Sequence, residues 1–176
     1  MSDANTPRHV VLTGPESSGK TTLCRLLAAE YGTSWVPEQA RSYLMATGGR
    51  YKEEDLVYIA ERQRRVMAVR ARRAKDYLFC DTGALVLRIW SEVRYGRVAP
   101  ALERALAALP VPVAYILCKP DMPWAPDPLR EHPDGRAGLF ELYLSQLGGM
   151  SVPYLIAAGS PAERVGQVQR FLAPLA

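Results

Sequence analysis

The chain has 176 residues, 48% of them hydrophobic and 23% charged, and 22 Lys+Arg against 18 Asp+Glu leave a net charge of +4. This is ordinary globular composition, with enough chain to bury roughly 70% of its unfolded surface, and it excludes a disordered tail, a collagen-like chain and a disulfide scaffold. A positive excess this small suits an anionic small molecule as readily as nucleic acid.

His9-Val10-Val11-Leu12-Thr13 is an apolar run ending at Gly14 and reads as a buried strand. Residues 21–31 carry Leu23, Leu26, Leu27 and Tyr31 at helical spacing, closed by Gly32. Ser34-Trp35-Val36 reads as a second strand, stopped by Pro37, and residues 38–46 as a helix broken by Gly48-Gly49. A long helix is predicted over 53–75, with Leu56, Ile59, Val66 and Val69 on one inner face. Its Arg62, Arg64, Arg65, Arg70, Arg72, Arg73 and Lys75 point outward; with no interleaved aromatics this run is read as a solvated face, and nucleic acid is not the expected partner. Tyr77-Leu78-Phe79-Cys80 is a third strand, ending at Asp81, followed by helices over 84–95 and 101–109 and a fourth strand over 111–118. Seven of the 14 prolines lie between Pro110 and Pro133, five of them after Cys118, which marks residues 119–137 as a loop segment, a lid, and not a helix interior. A helix over 139–147, a strand over 152–157 and a helix over 162–172 complete the chain.

Strands and helices alternate without a linker or repeat, so residues 1–176 are expected to form one α/β domain, a parallel sheet with helices on both faces. Cys24, Cys80 and Cys118 all lie in apolar stretches and read as buried free thiols of a reducing compartment. The start of the chain has no signal pattern, and no apolar run reaches the ~20 residues a membrane helix needs. A cytoplasmic protein with no membrane partner is the expectation.

Gly14-Pro15-Glu16-Ser17-Ser18-Gly19-Lys20-Thr21 fits the P-loop pattern G-x-x-x-x-G-K-[ST], with a strand before it and an amphipathic helix after it. Gly14 and Gly19 permit tight turns and close approach of backbone to phosphate. The N–H groups along Glu16, Ser17 and Ser18, and on into Thr22 at the helix start, form an anion nest backed by the helix dipole. Lys20 reaches the β- and γ-phosphates, and the Thr21 hydroxyl is the expected Mg²⁺ ligand. The motif predicts a nucleoside triphosphate and a three-layer P-loop NTPase fold with a five-stranded sheet of order 2-3-1-4-5. Ligands of such sheets sit beyond the carboxyl ends of the strands, so the other strand ends carry the remaining chemistry.

Asp81 closes an apolar strand as a Walker-B acid does and is a second candidate metal ligand, with Thr82 beside it to orient the carboxylate. Glu38, after the second strand, is placed to face the γ-phosphate and accept or orient a proton from an attacking hydroxyl. Arg41, one turn on, is assigned to the same cleft. In the lid, Arg130 and Arg136 can neutralise charge on a transferring phosphoryl group, and Trp124 can stack on a planar base. Helix capping remains an alternative for Glu38 and Asp81, and loop packing for Trp124.

These blocks, with Val36-Pro37-Glu38, Ala40-Arg41, Phe79-Cys80-Asp81-Thr82 and the lid's Pro123-Trp124, Asp127 and Leu129-Arg130, make the sequence resemble the kinase domain of NadR-type proteins, the ribosylnicotinamide kinase family. The resemblance implies ATP·Mg²⁺-dependent phosphorylation of a nucleoside 5′-hydroxyl, with nicotinamide riboside the favoured acceptor and Trp124 and Asp127 near it. Val36-Pro37-Glu38 also resembles the strand-end motif of deoxynucleoside kinases, in which the Glu acts on the 5′-hydroxyl. The sequence departs from the NadR pattern at Gln39, where an aromatic is expected, at Ser42, where an acid is expected, and at Gly83, where a second acid is common. The alternatives are another nucleoside kinase, or a regulatory ATPase or nucleotide switch with water as its only acceptor.

Overall fold

The structure, a computed structural model, describes residues 6–123 and 135–175. Five strands, β1 (Arg8–Thr13), β2 (Trp35–Val36), β3 (Tyr77–Asp81), β4 (Ala114–Cys118) and β5 (Tyr154–Ala157), form one sheet of order β2-β3-β1-β4-β5. Every pairing is parallel, and Leu12 lies beside Asp81 while Thr13 lies beside Leu117. A parallel sheet has all its carboxyl ends on one edge. Gly14, Pro37, Thr82 and Lys119 therefore leave the sheet together.

Among the described residues seven α-helices flank these strands: α1 (Lys20–Glu30), α2 (Gln39–Thr47), α3 (Glu53–Ala71), α4 (Ala84–Tyr95), α5 (Pro100–Ala107), α6 (Arg136–Gly148) and α7 (Pro161–Leu172). Strand side chains alternate in direction, which divides the core in two. Val10, Leu12, Phe79 and Ile116 pack on Leu23 and Leu27 of α1 and Val168 of α7. Val11, Leu78, Cys80 and Leu117 pack on the opposite face with Leu56 of α3, Leu85 of α4, Leu102 of α5 and Leu147 of α6. The middle strands are apolar on both faces because helices cover both. The three cysteines are free and buried within these layers, and among the described residues no helix is long and apolar enough to cross a membrane.

Some boundaries and faces differ from expectation. α3 ends at Ala71 and buries Leu56, Ile59, Ala60, Gln63 and Met67. Val69 is 58% exposed, because ten residues after Ile59 the helix has turned about 280° at ~100° per residue, off the buried stripe. β4 begins at Ala114 and not at Val111, whose side chain is 78% exposed; Pro112 has no N–H to give to a ladder. Arg136 and Ala137, placed in the lid by the proline count, are the first turn of α6. That turn buries nothing apolar, so the hydrophobic period marks the helix only from its second turn. Trp124, Asp127 and Arg130 lie outside the described residues.

The face assignment of α3 is testable. Met67→Ala should cost about 2–5 kcal/mol in urea denaturation, whereas Val69→Ala, two residues on, should change stability by less than about 0.5 kcal/mol.

Candidate active site

The loop between β1 and α1 is held by close backbone contacts. Gly14 has φ +127°, and a Cβ there would stand 2.7 Å from the carbonyl oxygen of Cys118 at the end of β4. Gly19, at φ +81°, opens α1, and its Cβ would meet Met122 Sδ at 2.8 Å. At Gly14 both the backbone angle and the backbone crowding require glycine; at Gly19 the backbone angle does, since the Met122 side chain could shift. Ser17 also takes a positive φ, 54°, and the Ser18 hydroxyl donates to the Pro15 carbonyl at 2.8 Å. Lys20 is 9% exposed, and its ammonium donates to the carbonyls of Gly14 at 3.0 Å and Pro15 at 2.7 Å, so the loop curls around its own lysine. No side chain caps α1 at Gly19. Its first-turn amides and positive dipole end are thus suited to bind an anion.

Asp81 lies on the neighbouring strand and is 1% exposed. Its Oδ2 accepts the Thr21 hydroxyl at 2.5 Å, and its Oδ1 is buried without a partner among the described residues. Burial raises its pKa, opposed by the Thr21 hydroxyl and the charges of Lys20 and Arg41. The turn that follows is strained: Thr82, β-branched, sits at φ +70°. It is pinned by its N–H to the Leu12 carbonyl at 3.0 Å and by Gln63 Nε2 on its own carbonyl at 3.3 Å. A buried carboxylate oxygen awaiting a partner, beside a hydroxyl at the mouth of an anion nest, fits Mg²⁺, which takes one or two protein oxygens and completes its shell with phosphate and water. Among the described residues no group of three or more His, Cys, Asp or Glu gathers as a metal cage.

Glu38 occupies the N-cap position of α2, but its side chain makes no capping bond. It lines a cleft of about 390 Å³ together with the P-loop, Thr22 and Arg41. Burial pushes its pKa up; Lys20 pulls it down, Asp81 pushes it up, and Arg41 and Glu16 act more weakly in opposite senses, leaving a carboxylate more basic than usual. Gln39 turns away from the cleft. Its Nε2 donates to the Pro37 carbonyl at 2.7 Å and its Oε1 accepts from Arg62 at 2.9 Å, which fixes the turn carrying Glu38. Arg136 reaches the P-loop from α6, donating to the carbonyls of Ser17 at 3.4 Å and Met122 at 3.1 Å.

Two groups of residues at the site escape sequence reasoning. The first is Arg164 of α7, only 1% exposed. It donates to the carbonyls of Ser18 at 2.6 Å, Gly159 at 2.9 Å and Lys119 at 2.9 Å, and pairs with the Asp121 carboxylate. Asp121 also accepts the Gly159 amide at 2.7 Å. One guanidinium thus ties the P-loop to the segments that follow β4 and β5. A signal existed: Arg164, Val168 and Leu172 form the buried stripe of α7 at i, i+4, i+8, and an Arg on an apolar stripe is out of place unless paired. The second group is the far wall of the cleft, where Tyr51, Trp90 and Tyr143 stand among Leu44, Val86 and Ile89. Burial raises the Tyr143 phenol pKa, reinforced by Glu38 and Glu16. On helical period alone the helical members of this wall are indistinguishable from core, and Tyr51, in the loop before α3, has no period to mark it.

Sheet order, glycine loop, lysine and strand-end acid together define a nucleotide-binding P-loop domain with the P-loop NTPase fold. The chain belongs to the AAA domain family, whose model matches residues 9–164. Its fold is similar to that of NadR protein in a crystal structure of the complex with NR: TM-score 0.76, 18% sequence identity, 94% of this chain and 52% of that one covered. It is similar also to NadR protein in complex with NAD and AMP-PNP: TM-score 0.73, 19% identity, 95% of this chain and 49% of that one covered. The chain thus spans about half the length of those two. None of the curated proteins matches the sequence.

The Asp121 clasp predicts an acid signature. Burial pushes the Asp121 carboxyl up, but the Gly159 amide and Arg164 outweigh this and hold it below its ordinary value. A carboxyl depressed in the folded state stabilises above its unfolded pKa and loses that contribution as pH falls through the folded one. Asp121→Asn should therefore be less stable than wild type at neutral pH, and the gap should close below pH about 4 in denaturant melts.

Proposed function

We propose that this protein is an ATP-dependent small-molecule kinase that phosphorylates the 5′-hydroxyl of a nucleoside, nicotinamide riboside being the favoured acceptor. The observation that carries this reading is that the cleft does not end at the phosphate site. It runs from the P-loop past Glu38 to a wall of aromatic and aliphatic side chains, a space that an ATPase with water as its only acceptor has no use for. The NadR structures, which hold NR in one case and NAD with AMP-PNP in the other, support the same reading by likeness of fold.

In this mechanism the loop amides and Lys20 bind the β- and γ-phosphates of ATP, and Gly14 and Gly19 allow the backbone that closeness. Thr21 and Asp81 are the residues that would hold Mg²⁺, which when bound would neutralise phosphate charge. Arg41 and Glu38 face the acceptor. The Glu38 carboxylate accepts the proton of the 5′-hydroxyl as its oxygen bonds to the γ-phosphorus and the bond to the ADP oxygen breaks. Arg136, already against the loop, neutralises charge on the group in transit, a role the sequence pattern also assigns to Arg130, outside the described residues. The family resemblance assigns Trp124 and Asp127, which lie outside the described residues, to nucleoside binding. Phosphoryl transfer needs little covalent help, so position and charge account for most of the rate.

The direct test is to incubate the protein with ATP·Mg²⁺ and a nucleoside panel, reading acceptor mass for the gain of one phosphate. Nucleoside-dependent ADP release with matching product is expected; ADP release that ignores every nucleoside would make the protein a regulatory ATPase instead. Lys20→Ala should remove turnover while the melting transition stays near wild type, since the ammonium contacts loop carbonyls and not the core. Glu38→Gln should lower kcat by about 10²–10⁴ while ATP affinity changes little. The pH profile adds a second readout. The raised Glu38 pKa means the basic form is lost at a higher pH than for an ordinary glutamate, so the acid limb of kcat should lie above pH about 4.3 in wild type and vanish in Glu38→Gln.

A further inference from the structure

We propose that a second cavity, on the face of the sheet covered by α3 and α5, is a binding site for an uncharged molecule of one aromatic ring that carries a hydrogen-bond acceptor. This cavity is separate from the P-loop cleft, since no described residue lines both. Its occupation does not depend on the kinase reading.

The cavity measures about 210 Å³ and lies where β1, β4, α3, α5 and the start of α4 meet. Small residues leave the room: Gly83 and Ala84 where α4 begins, and Ala107 at the end of α5. Ala107, Pro110 and Val111 line it and are exposed, so it opens to the surface there. None of its described lining residues carries a formal charge. A nucleotide finds no partner for its phosphates here, and sites for drug-sized ligands run to ~300–1,000 Å³. An apolar cavity of ~150 Å³ admits benzene. The volume here therefore suits one ring with a short substituent.

The lining chemistry narrows the ligand further. Met67 and Met150 both border the cavity; thioether sulfur contacts aromatic rings favourably, and unbranched Met side chains adjust to the shape of a guest. A buried water needs about two to four polar partners, and the lining side chains offer one hydroxyl, that of Tyr115. A guest therefore displaces little that is well held. Tyr115, on β4, is 5% exposed. Among the described residues its hydroxyl has no hydrogen-bond partner, and burial is the one cause that raises its pKa. Tyr77, by contrast, donates to the Leu172 carbonyl, and Tyr51 accepts from Trp90. A buried phenol without a partner costs free energy that a ligand carbonyl or ether recovers by accepting its proton. A carboxylate would lose its hydration and meet no cation.

The test uses the full chain, loaded with ADP·Mg²⁺ so that the P-loop cleft is occupied, and labelled with ¹³C at the Met methyls and the Tyr Cζ atoms. The probes are acetophenone, ethylbenzene of similar shape without an acceptor, and benzoate as the anion. Acetophenone should move the Met67 and Met150 methyl signals to a saturating limit and leave those of Met45 and Met122, which lie away from the cavity, in place. Ethylbenzene should move the same two methyls, and benzoate neither. Tyr115→Phe should weaken acetophenone about 2- to 13-fold, from the ~0.5–1.5 kcal/mol of one neutral hydrogen bond, and leave ethylbenzene affinity unchanged. The site is overturned if the Met67 and Met150 shifts do not saturate, if Met45 or Met122 responds instead, or if benzoate binds as well as acetophenone. The acceptor is overturned if Tyr115→Phe leaves acetophenone affinity unchanged or weakens both rings alike. Should that variant misfold, the wild-type Tyr115 Cζ signal decides: it should move further with acetophenone than with ethylbenzene, and equal movement counts against the hydrogen bond.

Discussion

The path of one short loop constrains everything else at this site. Between β1 and α1 the backbone must curl tightly enough to point successive amides at an anion, a conformation that stores strain and needs support from outside. Support comes from three directions. The end of β4 presses on Gly14 so closely that no side chain fits between. Arg164 reaches from α7 to the Ser18 carbonyl. Lys20 closes the loop on itself through the carbonyls of Gly14 and Pro15. A buried Arg paired with a carboxylate contributes little net stability compared with apolar packing, but removing one partner leaves an uncompensated charge and costs about 3–5 kcal/mol. The clasp therefore fixes geometry more than it adds to stability.

The same edge of the sheet brings two carboxylates close to the loop and gives them different surroundings. Asp81 is buried directly under Thr21, with one oxygen bonded and the other without a partner among the described residues. Glu38 sits on the other side of Lys20's field, raised in pKa by burial and held by a turn that Gln39 and Arg62 brace from behind. Both are more basic than a solvated acid, yet their contacts sort them. A carboxylate against a hydroxyl at a phosphate nest suits a cation, and a carboxylate open to the cleft with no capping bond suits a proton. Parallel strands make this arrangement economical, because each strand end delivers one functional group to the same edge.

How far all this is legible without coordinates differs from residue to residue. The placement of the glycine loop, Lys20, Thr21 and Asp81 was readable because it follows from short-range pattern: a fixed spacing after an apolar strand, and an acid at the end of another. Interleaving of strands with helices pointed to a parallel sheet, and the loop motif selected the order 2-3-1-4-5 among the topologies that right-handed crossovers allow. Val69 and the first turn of α6 were misplaced for a common reason. Each depends on where a helical stripe meets its neighbours, and a plausible stripe can be drawn a residue or a turn away from the real one.

What the sequence by itself determined, then, is the layout of the P-loop end of the cleft. The conformational demands of Gly14 and Gly19 and the positions of Lys20, Thr21 and Asp81 are local properties of the chain. The other end was decided only in three dimensions. Trp90 meets Tyr51 across 39 residues and Arg164 meets Ser18 across 146, separations at which neither helical nor strand period carries information. In α4 a tryptophan at helical spacing satisfies the core pattern whether it faces core or cleft. What distinguishes the two is the space left between α2, α4 and α6 when they pack on the sheet, and that space is a property of the assembled layers, absent from any one of them.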